Sequence, residues 1–525
     1  MERKTILAFI VVFGNIIHIV ENICNEETIT SKTRQRICKR YYKCFIKYPI
    51  VAKHISCSDI SIIESISNYD IEERNTTYLL TLKVTNSNIS ILQTSMFRRF
   101  TNLSKLYWDS NMQNIMPGAF NYLGNLKELC LQGNQLTSIS DGLFNSLTSL
   151  EKLDLSNNRI QNISDHAFVG IKLNELHISN NNISHIEQAL DPLNTLTTLD
   201  LSHNDLNKVT SFKNLPLRSL NLSHNRISEV DFELFHENLY EIDLSFNNIS
   251  EITNYNVSQA SEIILHHNKI QHFEENVNVT YLDLRYNKLE TIGSRLFGSG
   301  LKRFYADDNS ISVINPNAFF GLYDLEHLLL ANNNLSSISN SLFKDLRSLT
   351  YLDLSGNKLT YFAFGTFDNL ANLNVLNISN NNLKDLQQYT LHSLGNLTDL
   401  LFQNNEINEM HVGDLMIYMP KLKRVNLDNN DWSCKKLVGI VLNLKNMKVS
   451  FPNGNSWEES NIHGIKCHET FDRAPADNDA KSDSDLDYSK LKHFFNEDFT
   501  NTLMYKYFNE EFKNSNFFHI LRKSN

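Results

Sequence analysis

Asparagine recurs at one position of a repeating frame: Asn111, Asn134, Asn158, Asn181, Asn204, Asn225, Asn247, Asn268, Asn287, Asn309, Asn333, Asn357, Asn381, Asn405 and Asn430. Each follows an apolar residue by five places in the pattern L-x-x-L-x-L-x-x-N-x-L, as in LTYLDLSGNKL from Leu349 to Leu359. An earlier copy, built on Leu82, Val84 and Ile89, carries Ser87 in the asparagine slot, which makes sixteen copies. Successive copies lie 19 to 25 residues apart, a period that belongs to stacked repeats and not to separate globules.

The L-x-L core alternates apolar and variable residues, as a strand does. One such strand cannot bury its leucines alone, so the repeats must stack into a continuous core. The asparagine sits where the chain leaves the strand. There its amide can satisfy main-chain groups of adjacent turns, which unpaired would cost about 1–3 kcal/mol each. A second apolar set, such as Ile139, Leu143, Phe144 and Leu147 or Ile338, Leu342, Phe343 and Leu346, wraps the outer wall in short helical or irregular turns. The expected fold is an α/β solenoid over residues 79–430: a right-handed horseshoe with a parallel sheet on its concave side. Sixteen strands at ~4.8 Å give an inner face of roughly 70–75 Å, a size suited to a protein partner. The shorter repeats between Asn204 and Asn287 should change the curvature locally, dividing the array into two arms and a distinct middle; ordinary drift among repeats explains them equally well.

The flanks suggest a route out of the cell. Residues 1–23 read as a signal peptide, with Arg3 and Lys4 before ILAFIVVFGNIIHIV; an uncleaved membrane anchor is the lesser alternative. Seven cysteines suit an oxidising compartment. Cys24, Cys38, Cys44 and Cys57 fall in an N-terminal cap, residues 24–78, with their connectivity open. Cys434 and Cys467 flank a C-terminal cap, residues 431–467, and pairing them would close that end of the core. Cys130, between Leu129 and Leu131, points from the concave sheet; it is a packed free thiol or the site of an intermolecular disulfide. Sequons at Asn75, Asn88, Asn102, Asn162, Asn182, Asn221, Asn248, Asn256, Asn278, Asn334, Asn377 and Asn396 fit secretion, although an asparagine-rich chain also makes them by chance. Asn221 and Asn377 occupy concave slots, where a glycan would obstruct docking.

The net charge of −10 is unevenly spread. Lys32, Arg34, Arg36, Lys39, Arg40, Lys43, Lys47 and Lys53 make the N-terminal cap basic, either as a solvated surface or as a site for a glycosaminoglycan. An acidic flexible linker follows at residues 468–487. An amphipathic helical tail, residues 488–525, then sets Leu491, Phe495, Phe499, Leu503 and Tyr507 at steps of four, for packing on the solenoid or on a partner.

Nothing in the chain has the form of an enzyme. It lacks H-E-x-x-H, G-x-S-x-G, a phosphate-binding glycine loop and C-x-x-C, so neither catalysis nor a cofactor or metal is expected. Nucleic acid is not an expected partner, and neither is a membrane. Two columns of the repeat are candidate partner-binding residues. Asp200, Asp243 and Asp283, with Asp154 and Asp353, fill the variable slot of the strand and would form a negative stripe; LDLS is also an ordinary filling of this repeat. His203, His224, Phe246, His267 and Tyr286 precede the asparagine on consecutive repeats and should stack near the sheet edge, with His177 and His266 close by. Such rings make good anchors, and the histidines could sense pH; S-H-N, S-F-N and S-Y-N are also common fillings of such repeats.

LDLSHNDL, IDLSFNNI and LDLSGNKL, with the aromatic-rich outer wall of AFNYLGNL and LFKDLRSL, resemble the extracellular leucine-rich repeats of Toll-type receptors and Slit-like proteins. The order of leader, cap, repeats, cap and tail is similar to that of secreted leucine-rich-repeat immune proteins of mosquitoes. That resemblance implies pathogen defence and binding to complement-like thioester proteins. The chain differs from them in having no clear heptad coiled coil and no adjacent pair of cysteines after the repeats. The expectation is a secreted protein-binding protein of insect innate immunity, or alternatively one of matrix adhesion or developmental signalling.

Overall fold

The computed structural model describes residues 44–46, 54–58 and 80–468, apart from 88, 210, 255–259, 274–276 and 455–459. The leader, most of the N-terminal cap with Cys24 and Cys38, the sequons at Asn75, Asn88 and Asn256, the acidic linker and the helical tail lie outside the described residues. The chain divides into two compact units, Met1–Ile270 and Gln271–Asn525. The boundary falls just after Asn268, in the shortest step of the array.

In the first unit the strands Cys44–Ile46 and His54–Ser58 pair antiparallel, with Cys44 opposite Cys57 in register. His54–Ser58 then runs parallel to Thr81–Thr85, the first L-x-L strand. From there nine L-x-L strands, ending at Glu262–Ile264, lie side by side in parallel. The register keeps core residue against core residue, as in Leu153, Leu176 and Leu199. The second unit holds seven, from Tyr281–Asp283 to Arg424–Asn426. All sixteen expected strands are present, in two units.

The asparagines act as anticipated. Asn225 accepts from the Leu206 N–H at 3.0 Å and donates to the carbonyls of Leu201 and Leu222, both at 3.0 Å. Asn381 does the same in the second unit with Leu359, Leu354 and Ile378. Each amide therefore joins its own turn to the one before. Asn111 is a correction: it is exposed, while Met112 beside it is buried. Ser87, too short to bridge, leaves its buried hydroxyl without a hydrogen bond.

Behind the sheet, phenylalanines form a second spine. Phe97, Phe120, Phe144 and Phe168 are buried and stack at 6.1 Å between neighbours. Phe343 and Phe367 repeat the arrangement at 6.4 Å in the second unit. The outer wall is mostly turns and two-residue strands; Glu187–Leu190 and Val412–Tyr418 are short helical exceptions. The C-terminal cap is the helix Cys434–Asn446, begun by the Ser433 side chain accepting from the Lys436 N–H. The Cys434–Cys467 disulfide closes it, and the helix buries Leu437, Ile440, Val441 and Leu444.

Candidate binding surfaces

The concave strand of each unit offers its variable slots to solvent, and the two units fill them differently. In the first unit the early strands carry exposed ion pairs. Lys105 meets Glu128 at 2.6 Å, and Lys152 meets Glu175 at 2.7 Å. The Tyr107 hydroxyl also donates to Glu128, at 2.8 Å. Burial pushes the Glu128 carboxyl up, but the hydrogen bonds from Lys105 and Tyr107 outweigh it and hold its pKa below the usual value. These strands border a hollow of about 550 Å³ whose lining includes Lys83, Tyr107, Glu128, Cys130, Lys152 and Asp154. Cys130 is a half-buried free thiol 3.8 Å from Asp154 Oδ2. Burial first, then Asp154, raise its pKa, which suppresses the reactive thiolate.

The aspartate column is less available than its sequence suggests. Asp154, Asp200, Asp243 and Asp353 each turn an oxygen back to accept the N–H two residues on, at 2.9–3.0 Å, which fixes the chain's exit from the strand. Asp283 corrects the expected stripe. It is only 1% exposed, and Arg285 grips both its oxygens, at 3.0 and 2.6 Å. It offers no carboxylate to a partner. His177 lies in this strand column and not in the ring column, between Glu175 and Asp200.

The ring column is a ladder within the first unit. His203 stacks on His224 at 3.9 Å, His224 on Phe246 at 4.1 Å, and Phe246 on His267 at 4.1 Å. His266 meets Phe246 edge-on at 5.2 Å. Tyr286 belongs to the second unit, where Asp308 hydrogen-bonds its hydroxyl and raises its pKa. All five residues have φ between 52° and 56°, the left-handed region. Other repeats fill this place with residues that adopt it readily: Gly133, Asn157, Asn180, Asp308, Asn332, Gly356, Asn380, Asn404 and Asn429. A ring here costs about 1 kcal/mol or more in backbone strain. The main chain is over-determined at these positions, since the N–H groups of His203, His224 and Phe246 bond the next repeat's carbonyls at 2.9–3.0 Å.

The second unit holds a surface that the column-by-column reading missed. Tyr281, Arg303, His327 and Tyr351 are register partners on adjacent strands. Arg303 lies 4.6 Å from the centroid of Tyr281, Tyr305 meets Tyr281 edge-on at 5.4 Å, and His327 stacks on Tyr351 at 5.8 Å. The signal was present in YLD, RFY, HLL and YLD, whose flanking slots hold tyrosine and arginine where other repeats hold polar residues. Beneath them Asp307 is buried and accepts the Ala331 N–H at 2.7 Å. Burial drives its pKa up to about 7.

Of the sequons, Asn102, Asn162, Asn182, Asn248 and Asn278 are exposed. Asn221 and Asn377 are half-buried on the strands, as their slots required, and Asn377 donates its amide nitrogen to Asp353 at 2.9 Å. Among the described residues, no group of three or more His, Cys, Asp or Glu could hold a metal ion, and no helix is long and apolar enough to cross a membrane.

Stacked parallel strands, asparagine-bonded turns and a broad residue-bearing face define a repeat scaffold of the kind that presents surfaces to other macromolecules. Family models described as leucine rich repeat match residues 108–160, 124–175, 148–206 and 299–359, and another matches 216–237. These matches identify leucine rich repeats within both units of the chain. A curated relative, mouse Tsukushi, is 31% identical over 160 residues, covering 30% of this chain; the match spans 42% of Tsukushi's own length. Among solved structures, the glycosylated Toll–Spatzle complex of Drosophila is similar over 78% of this chain and 57% of that one, at TM-score 0.59 and 19% identity. A leucine-rich repeat protein of Leptospira interrogans is similar over 71% of this chain and 90% of that one, at TM-score 0.53 and 22% identity. These structural likenesses concern the fold.

Proposed function

We propose that this chain is a secreted glycoprotein that binds other proteins through its concave strand faces, in insect innate immunity. The single observation that carries the binding reading is the contrast between the backs and the fronts of the strands. Every core leucine is buried and repetitive, while the facing slots change from repeat to repeat into lysine–glutamate pairs, stacked rings and a tyrosine–arginine patch. A scaffold under packing demands alone has no need of that variety. Such rigid aromatic and arginine side chains lose few rotamers on binding and recur at interaction hot spots.

Secretion rests on the basic–apolar leader, the disulfide of the C-terminal cap and the exposed sequons. The immune assignment and the thioester-protein partner rest on the resemblance in domain order, and the glycosaminoglycan on the basic N-terminal cap. Matrix adhesion or developmental signalling is the alternative; Toll, in the complex with Spatzle, is a hub in both development and innate immunity. The decisive experiment places glycan wedges on the two faces: Lys152→Asn with Asp154→Thr in the first unit, His327→Asn with Leu329→Thr in the second. The tagged chain is returned to insect body fluid and its captured partners are identified by mass spectrometry. Loss of partners in either wedged chain supports binding through that face. Equal capture by both wedged chains and the parent removes the proposal.

A further inference from the structure

The ring ladder is not explained by stability. Three stacked contacts, each worth about 0.5–1.5 kcal/mol, do little more than offset the strain of four rings in left-handed backbone. Asparagine, used at this place by most other repeats, avoids that strain. What the rings add is surface. His203 and Phe246 stand exposed and His224 and His267 half-buried, each ring stacked on the next.

The charge around them is one-sided. From the strands packed beside the ladder come Asp200, Glu241, Asp243 and Glu262, with Glu241 and Glu262 direct register partners. From the turns beyond it come Asp205, already held by Arg226 at 2.7 Å, and Lys269; His266 faces Phe246. Leaving aside Glu262, which has a partner of its own, Asp200, Glu241, Asp243 and the Arg226-bound Asp205 make four carboxylates against two fixed cations. The early strands of the same face, by contrast, pair each glutamate with a lysine across the sheet. Burial and then the neighbouring His203 hold the His224 imidazole below its usual pKa, so that ring does not offset the excess at neutral pH.

We propose that the His203–His267 ladder, with Glu241 and Asp243, is a docking edge for a basic polypeptide segment of the partner. An arginine or lysine stem lies along the ring edges, and its cation rests among the carboxylates. This rests on the protein-binding reading above and names the partner's chemistry. A planar guanidinium suits both halves, since it packs on aromatic surface and bonds carboxylates with two donors. A sulfated glycan or another polyanion would be repelled by the same carboxylates. Acid should release the segment. Burial, then Glu262 and Asp243, raise the pKa of Glu241, so it is neutralised early as pH falls, while ring protonation adds positive charge.

The test uses the full secreted chain and four labelled probes read by fluorescence anisotropy: a short peptide of alternating arginine and serine, its lysine version, its glutamate version, and a heparin oligosaccharide. The arginine peptide should bind at least about tenfold more tightly than the glutamate peptide, and weaken several-fold between about pH 7.5 and about pH 5.5. Replacing the rings by the residue of neighbouring repeats (His203→Asn, His224→Asn, Phe246→Asn and His267→Asn together) leaves net charge at neutral pH unchanged. That chain should melt within a few degrees of the parent yet lose about tenfold in affinity. If it fails to fold, Glu241→Gln with Asp243→Asn keeps the local hydrogen bonds and should show the same loss. Preference for heparin or the glutamate peptide, or full arginine-peptide binding by either folded variant, overturns the inference. Native partners lost with the glycan wedges but kept by the ladder variant overturn it alone, and the protein-binding reading then stands. Native partners kept by all these chains overturn both.

Discussion

The two units share one backbone device and differ in how they treat charge. Asn225 and Asn381 make the same three hydrogen bonds, at 3.0–3.1 Å, in different units. On the faces the logic separates. In the first unit Lys105 and Glu128 pair in partial exposure, their side chains 48% and 21% accessible. In the second, Asp283 is buried beneath Tyr281 and Arg285, and Asp307 is buried with no lysine or arginine bonded to it. The first face is held by pairs that water can replace, and the second by charges that it cannot. The largest expected effects of mutation therefore lie in the second unit.

Arg285→Met should have the greatest effect. It leaves the Asp283 carboxylate buried with only the Tyr281 hydroxyl and a backbone N–H, and breaking a buried pair in this way costs about 3–5 kcal/mol. Urea unfolding followed by tryptophan fluorescence and circular dichroism should show the loss. A change below about 1 kcal/mol would mean that Asp283 is hydrated, and the contrast between the units would collapse.

Next come the asparagines, where the units should agree. Asn225→Ala and Asn381→Ala each strand one buried N–H and two carbonyls, at a cost of about 3 kcal/mol. Losses that differ by more than about 1 kcal/mol would show that the shared ladder is not equally shared.

Asp307→Asn should stabilise. Its folded pKa of about 7 lies above the unfolded value near 3.9. Below about pH 4 both states are protonated and there is no penalty. As pH rises from about 4 to about 7 the unfolded chain ionises first, so stability falls, and above about pH 7 the penalty is complete. Asparagine keeps an acceptor for the Ala331 N–H without the charge. The variant should gain about 2 kcal/mol or more at about pH 8, and nothing near pH 4. A gain independent of pH would show that the carboxyl is not the cause.

These contrasts also show what could be read from the residues. The L-x-L strands, the buried asparagines, the capping disulfide and the stacked column follow from period and slot, because a repeat forces each place into one environment. Asn111 broke the pattern because Met112, one residue on, took the buried place instead, a competition that spacing does not display. Asp283 was read as surface because its slot usually is. Its burial depends on Tyr281 and Arg285, residues in slots that vary freely. The left-handed backbone under the rings was legible in principle, since Gly, Asn and Asp fill the same place elsewhere. The short repeats suggested two arms and a distinct middle, whereas the chain divides into two units, with the boundary at Ile270 and Gln271 inside that stretch.

The smallest effect closes the comparison. Lys105→Met removes the partner of Glu128, but both side chains reach water and Tyr107 keeps its hydrogen bond. Exposed pairs of this kind contribute about 0.2–1 kcal/mol, less at high salt. The pH dependence should move with it. Glu128, held low mainly by Lys105 and Tyr107, contributes stability present above its unfolded pKa and lost as pH falls through the lower folded value. Without Lys105 that acid-side loss should shrink and shift upward in pH. A double-mutant cycle of Lys105→Met with Glu128→Gln, measured at low and high salt, isolates the pair. A coupling that exceeds about 2 kcal/mol, or one that salt leaves untouched, would place this pair with Asp283 and Arg285 and erase the difference between the two faces.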